Sequence, residues 1–322
     1  MVKSGLPVAL LMVVLSWNFA SGQANYLSYH RAVVSAEQMI LGLRHKEAIQ
    51  QFDSLFAAFE FVFLRDCKLA TEIALHLGDQ DAAFRFLQRG ILSGWTKKEI
   101  RKNTRLKALH QDPRWDALLQ NQDSLFAWYE SRLDPLLRKE IKALLKKDQK
   151  MALGALLRIG EKAQTSYNEK KFAPHSEKQV MRLRELIREK GYPGEKLIGN
   201  GWWASVILSH HNSISPTYAA ADSLYPGLKP LLLEAIEKGE LHPVDFAVIQ
   251  DWRTAVLSHH DKTTYGYLGK ISGQQELDEV DQHRHSIGLR TVAQRNALLD
   301  FEKETGVNLY LPKDWQKGKI EH

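Results

Sequence analysis

Residues 69–91 read LATEIALHLGDQDAAFRFLQRGI, and this stretch decides the fold. Leu69, Ala70, Ile73, Ala74 and Leu77 recur at steps of three and four, which lines apolar side chains along one face of an α-helix. Gly78-Asp79-Gln80 interrupts the pattern. Ala83, Phe84, Leu87 and Ile91 then form a second stripe that stops at Ser93-Gly94. Two amphipathic helices joined by so short a turn fold back on each other antiparallel.

The unit has a counterpart upstream. Ala36, Met39 and Ile40 precede a break at Gly42, and Ala48, Ile49, Phe52, Leu55, Phe56 and Phe59 follow it. Leu41-Gly42 recurs as Leu77-Gly78, a spacing near the tetratricopeptide period. Residues 109–119, LHQDPRWDALL, look like the segment that closes such arrays. Residues 23–133 therefore resemble a degenerate tetratricopeptide-type array of antiparallel helix pairs, with a generic helix bundle as the alternative. The array reading implies a concave face suited to a protein or peptide partner.

The N-terminus carries the pattern of a signal peptide. Lys3 precedes the apolar run Leu6–Leu15 (LPVALLMVVL), which is too short to span a bilayer, and Ala20-Ser21-Gly22 supplies the small residues of a cleavage site. The expected mature chain begins after Gly22 and is exported, periplasmic or secreted; the alternative is a buried first helix. No later stretch is apolar and long enough for a membrane span. The single cysteine, Cys67, lies far from the cleavage site, which excludes a lipid anchor there and any intrachain disulfide. It fits a helical pattern as a small buried apolar residue.

The chain has 44 basic and 38 acidic residues, a net charge of +6 that falls to +5 without Lys3. The excess is dispersed. Residues 96–107 (TKKEIRKNTRLK) and 138–150 (RKEIKALLKKDQK) interleave charge with apolar residues at helical spacing, as solvated helix faces do. Nucleic acid is not an expected partner.

A second helical domain is expected over residues 134–322. Asp134-Pro135 suits a helix start. A long charged helix follows, then a loop at Lys170–Ser176, a helix over Glu177–Lys190, and a stop at Gly191-Tyr192-Pro193-Gly194. Trp202, Trp203, Val206, Ile207 and His210 follow an apolar helical face. Ser215-Pro216 opens a new element, Pro226-Gly227 breaks the chain, and Lys229–Glu237 forms a short helix. His242-Pro243 opens the next helix, Tyr265–Gly273 (YGYLGKISG) is a glycine-rich loop, and Leu289–Thr305 is a last long helix. Strand-type alternation is absent.

Over about residues 136–301 the chain resembles an uncharacterised bacterial domain family. That family's pattern has a Gly-Trp-Pro turn before Val-Gly, a Gln-His-Ala-Asp at a helix end, an Asp-Arg followed by Tyr-Gly-Thr-Gln, and a Val-Asp-x-Arg-Arg before Gly-Leu. Here the turn is Gly191-Tyr192-Pro193, before Ile198-Gly199. The helix end is Ser209-His210-His211-Asn212, and Trp252 separates Asp251 from Arg253. Tyr265-Gly266 is followed by Tyr267-Leu268 in place of Thr-Gln. Val280-Asp281 and Gly288-Leu289 are kept, with His283-Arg284 for the arginine pair. The resemblance implies positions and no reaction, and loss of the Thr-Gln pair implies a changed or inactive site.

Those positions make a candidate site of His210, Asp251 and Tyr265, with Arg253, Asp281 and Arg284 as binding residues. A histidine oriented by a carboxylate serves as a general base, and a tyrosine on a closing loop as an acid or hydrogen-bond donor. The alternative is a buried polar network that pins helices and loop together. No metal site is expected: His210-His211 and His259-His260 are adjacent pairs that point about 100° apart on a helix, and no His-Glu-x-x-His spacing occurs. Asp281 and His285 share a face if their segment is helical. Gly199-x-Gly201-x-x-Ala204 mimics a dinucleotide fingerprint without the strand it requires, so no cofactor is expected. Two functional readings stand: a non-enzymatic exported binding protein, which we favour, and a hydrolase-like or small-ligand enzyme using His210, Asp251 and Tyr265.

Overall fold

The computed structural model describes residues 25–312 and 316–322; the stretch read as a signal peptide, residues 1–22, lies outside them. The described residues form sixteen α-helices and no strand, so the protein is all-α. Helices α1 (Tyr26–Leu41) and α2 (His45–Ala58) make one hairpin, and α3 (Leu64–Leu77) and α4 (Gln80–Leu92) a second. The breaks fall where glycine stands. Gly78 ends α3 in the left-handed region (φ 76°), which glycine enters without steric cost. Asp79 then caps α4 by accepting from the Ala82 N–H at 2.9 Å. Helix α5 (Lys97–Lys102), a 3-10 turn over Thr104–Leu109 and α6 (Arg114–Ser131) complete this region, with α6 lying on α4. Cys67 is buried in it, and burial pushes its thiol up to about 12, so the sulfur packs and does not react.

The chain continues through α7 (Pro135–Leu156) and α8 (Glu161–Tyr167) to α9 (Ala173–Lys190). Asp134 accepts from the Leu137 N–H and Pro135 occupies the first turn of α7. The loop expected at Lys170–Ser176 is helical instead. A π-turn over Asn168–Phe172 joins α8 to α9, and Pro174 sits in the first turn of α9, where its missing N–H costs little. Phe172 and Ala173 pack on Ile214, which fixes that turn.

Short α10 (Glu195–Ile198) leads to α11 (Trp203–Asn212), which is packed against α7, α9 and α14 (Pro243–Leu257). With neighbours on three sides, α11 buries Ala204, Ile207, Leu208 and His211, whereas Trp202 and His210 sit outside that face, unlike the stripe read from the sequence. Helix α12 (Pro216–Ala221) precedes α13 (Leu224–Glu237), which begins five residues earlier than expected. Pro226 lies in its first turn, where no helical N–H bond is lost, and Asp222 accepts from the Leu224 and Tyr225 N–H groups. A loop then leads to α15 (Gln274–Ser286) and α16 (Val292–Thr305).

The C-terminal segment returns to the first region. Leu298 and Phe301 of α16, with Val307, Leu309 and Leu311, share one apolar core with Ile40, Phe52 and Ile73. Beside this core Glu37 of α1 receives Arg290 at 2.6 and 2.8 Å and Arg65 of α3 at 2.6 Å. Removing the ring in Phe301→Ala should cost about 3–5 kcal/mol of unfolding free energy in urea titrations. Hydrogen exchange should speed up in α1 and α2, although both are more than 240 residues away in sequence by about that order.

Candidate functional site

The structure does not gather the six residues singled out by sequence into one site. His210 is 26% exposed at its side chain, and its Nδ1 lies 2.6 Å from Oδ2 of the buried Asp148 on α7. Asp251 is not its orienting carboxylate. Asp251 Oδ1 accepts the N–H groups of Thr264 and Tyr265, each at 2.8 Å, and Oδ2 accepts those of Tyr267 (2.7 Å) and Leu268 (3.4 Å). Burial pushes this carboxyl up to about 6, and the N–H groups of Tyr267, Tyr265 and Thr264 hold it from rising further.

Asp251, Tyr265 and Arg284 do come together, through the loop backbone. Arg284 is buried and donates to the Tyr265 carbonyl and, at 2.6 Å, to the Arg290 carbonyl; its guanidinium lies 5.2 Å from the centre of the Tyr267 ring. The loop is thus clamped between a carboxylate that takes its N–H groups and a guanidinium that takes its carbonyl. Gly269 completes it at φ 90°, where a β-carbon would collide with the Lys262 carbonyl. Asp281 does other work: its Oδ1 accepts the Val292 N–H at 2.8 Å, at the start of α16.

Arg253 donates to Asp222 Oδ2 at 2.9 Å and to the Ala219 carbonyl at 2.6 Å. Asp222 Oδ1 in turn lies 3.4 Å from His211 Nε2, and His211 Nδ1 lies 2.9 Å from Ser176 Oγ. Ser176 and His211 are buried and the Asp222 side chain is almost wholly covered, so this chain of contacts ties α9, α11, α12 and α14 together. His211, passed over in the sequence, is the inward histidine of the pair.

The space for a ligand is elsewhere. A cleft of about 680 Å³ opens where the start of α3 meets the Gly194–Trp202 segment, the start of α14, Tyr267 of the clamped loop and the C-terminal residues 308–312. That size suits a small-molecule or peptide-end site. Its cations are already committed: Arg65 to Glu37 and Asp66 at 2.6 and 2.9 Å, Lys68 to Glu99 at 2.8 Å. Its carboxyls include Glu195, Glu240 and Asp245. Glu195 Oε1 accepts the Leu64 N–H at 2.7 Å at the start of α3. Burial drives Glu195 up to about 8, helped by the charges of Asp66 and Asp245 and opposed by the Leu64 N–H and Lys68, so it is largely an uncharged acid at neutral pH. His242 caps α14 by accepting the Val244 N–H on Nδ1, and burial, with Arg65 and Arg290 nearby, lowers it to about 3. It stays neutral. Trp202 stands at the cleft 51% exposed, an aromatic face turned to solvent.

No motif announced Glu195, Asp245 or His242, because the cleft is assembled from at least five stretches far apart in sequence. The one local signal is GYPGEKLIGNGWW at 191–203, where a carboxylate and two indoles stand among chain breakers. Compared with known protein families, with curated proteins and with solved structures, the chain matches none.

Two outcomes follow from these contacts. Asp251→Ala strands four backbone N–H groups and should lose about 3 kcal/mol or more in denaturation, whereas Tyr265→Phe should stay within about 0.5 kcal/mol of the parent. The Glu195 carboxyl binds its proton more tightly folded than unfolded, so its share of stability is fully present below about pH 4.5 and is lost as pH rises to about 8. Glu195→Gln should flatten that decline in melts taken from pH 5 to pH 8.5.

Proposed function

We propose that this is an exported, non-enzymatic binding protein, and that its ligand enters the cleft between the two helix hairpins and the helices that follow them. The observation that carries this reading is the imbalance of the cleft's polar groups. Arg65 and Lys68 are spent on Glu37, Asp66 and Glu99, while Glu195 keeps an uncharged carboxyl beside Asp245 and Trp202 offers an exposed indole. Such a lining favours a small molecule or peptide end that carries an ammonium or guanidinium group. The cation would be held by carboxylates and by an aromatic face. The tetratricopeptide-type reading of the hairpins supports a peptide as the bearer of that charge.

A hydrolase-like reading on His210, Asp251 and Tyr265 is less well supported. His210 is paired with Asp148, and Asp251 already accepts four backbone N–H groups. Membership of the uncharacterised bacterial family stands as part of the proposal, since Asp251, Tyr265 and Arg284 fall on its pattern and hold the loop that supplies Tyr267 to the cleft.

The test is a thermal-shift screen of arginine, lysine, spermidine and short basic peptides against acidic peptides of equal length. Cationic ligands should raise the melting temperature and acidic ones should not. Calorimetry of a hit should show protons released, and affinity about tenfold higher at pH 8.5 than at pH 6.5, because the cation draws Glu195 into its charged form. Glu195→Gln should abolish the pH dependence, and Trp202→Ala should weaken binding. Stabilisation by the acidic peptides alone would sink the proposal.

A further inference from the structure

The last buried residue of α7 is Asp148; beyond it only Met151, Ala152 and, in α8, Tyr167 pack, half-buried, on Phe172, Ala173 and Ile214. At about 1.5 Å per residue, Leu157 stands roughly 8 Å past Ala152. The helical hairpin therefore projects from the body of the protein. Its tip is apolar. Leu153, Leu156 and Leu157 share one face at i, i+3 and i+4, with exposures of 56%, 76% and 73%, and Ile159 in the turn is 97% exposed. Leu43 and Leu136, the comparably exposed leucines elsewhere, stand apart from any such group.

Charge along the hairpin is mostly positive. Lys146, Lys147, Lys150, Lys162, Lys170 and Lys171 are all exposed, and no ion pair among the described residues engages them. Of the nearby carboxylates, Asp148 is buried against His210 and Glu169 accepts from Ser215 at 2.9 Å, which leaves Glu161 as the exposed one. Arg158 lies over the Tyr167 ring at 4.9 Å, bracing the turn.

We propose that the α7–α8 tip docks on an anionic phospholipid surface, with Leu153, Leu156, Leu157 and Ile159 entering the acyl boundary and the lysine collar meeting the headgroup phosphates. The shape selects this occupant. A convex knob of aliphatic side chains, without an aromatic anchor at its apex, lacks the flat core of Trp, Tyr and Arg that marks protein interfaces. Lysine, depleted at such interfaces, is the residue of membrane-surface collars. The reach of the hairpin matches the 5–10 Å depth of interfacial insertion, which leaves the cleft open to solvent.

The test places a probe at the tip of the full chain. Because Cys67 is buried, Ile159→Cys adds one accessible thiol, which takes an environment-sensitive fluorophore. Vesicles with about a third phosphatidylglycerol in phosphatidylethanolamine should shift the emission to the blue, and brominated acyl chains should quench it. Pure phosphatidylcholine vesicles should do neither. Reversing charge in Lys150→Glu/Lys162→Glu/Lys170→Glu should weaken the response at least tenfold, with an unchanged melting temperature. The readout reports position 159 itself, so attachment through the apolar residues 6–15 alone would leave the probe dark. That result would overturn the proposal. So would an equal response to phosphatidylcholine, or a blue shift that depends on protein concentration without lipid, which would make the tip a protein contact.

Discussion

One buried carboxylate holds the molecule's two ends together. Glu37 lies in the interior of α1, and Arg290, just before α16, and Arg65, at the start of α3, both donate to it. Burial works against its charge, yet the two guanidiniums keep it below the ordinary glutamate range. A charge so placed is tolerable only while both partners are present. The same network orients Arg65 toward the Leu309 and Tyr310 carbonyls, so the C-terminal wall of the cleft is fixed by the bond that joins α1 to α16.

The second constraint is the clamp on the glycine-rich loop. Asp251 and Arg284 are buried groups whose hydrogen bonds go to the backbone. What they position is Tyr267, whose N–H goes to Asp251 and whose ring lies by the Arg284 guanidinium and lines the cleft. Tyr267 thus forms part of this wall, and the clamp beneath it is its support.

The all-helical architecture was legible because its evidence is local. Gly42, Gly78 and Gly191 stop helices where periodicity stops, and Asp134-Pro135 and His242-Pro243 open them. Proline and glycine misled where they fall inside a first turn: Pro174 and Pro226 sit where a helix lacks an N–H partner anyway, so they read as breaks and are not. The candidate site was harder. Asp251, Tyr265 and Arg284 lie together, but their contact runs through backbone groups that no side-chain pattern records. Which of His210 and His211 faces inward depends on the neighbours packed round α11, and periodicity over ten residues does not decide that. Glu195 carried only the cue of a carboxylate among the chain breakers of residues 191–203; its reluctance to ionise comes first from burial and then from Asp66 and Asp245, which no local pattern records.

The return of residues 298–311 to the first core bears on the order of events at birth. A chain emerging N-terminus first makes the two helix hairpins early, but Ile40, Phe52 and Ile73 lack Leu298, Phe301 and Leu309 until more than 200 further residues have followed. Contacts of that sequence separation come late and slow the final collapse. Until then the apolar flank formed by Ile40, Phe52 and Ile73 lacks the side chains that cover it in the folded protein. Under the export proposed above, this delay would be an advantage, keeping the leading part open while it passes through a narrow channel.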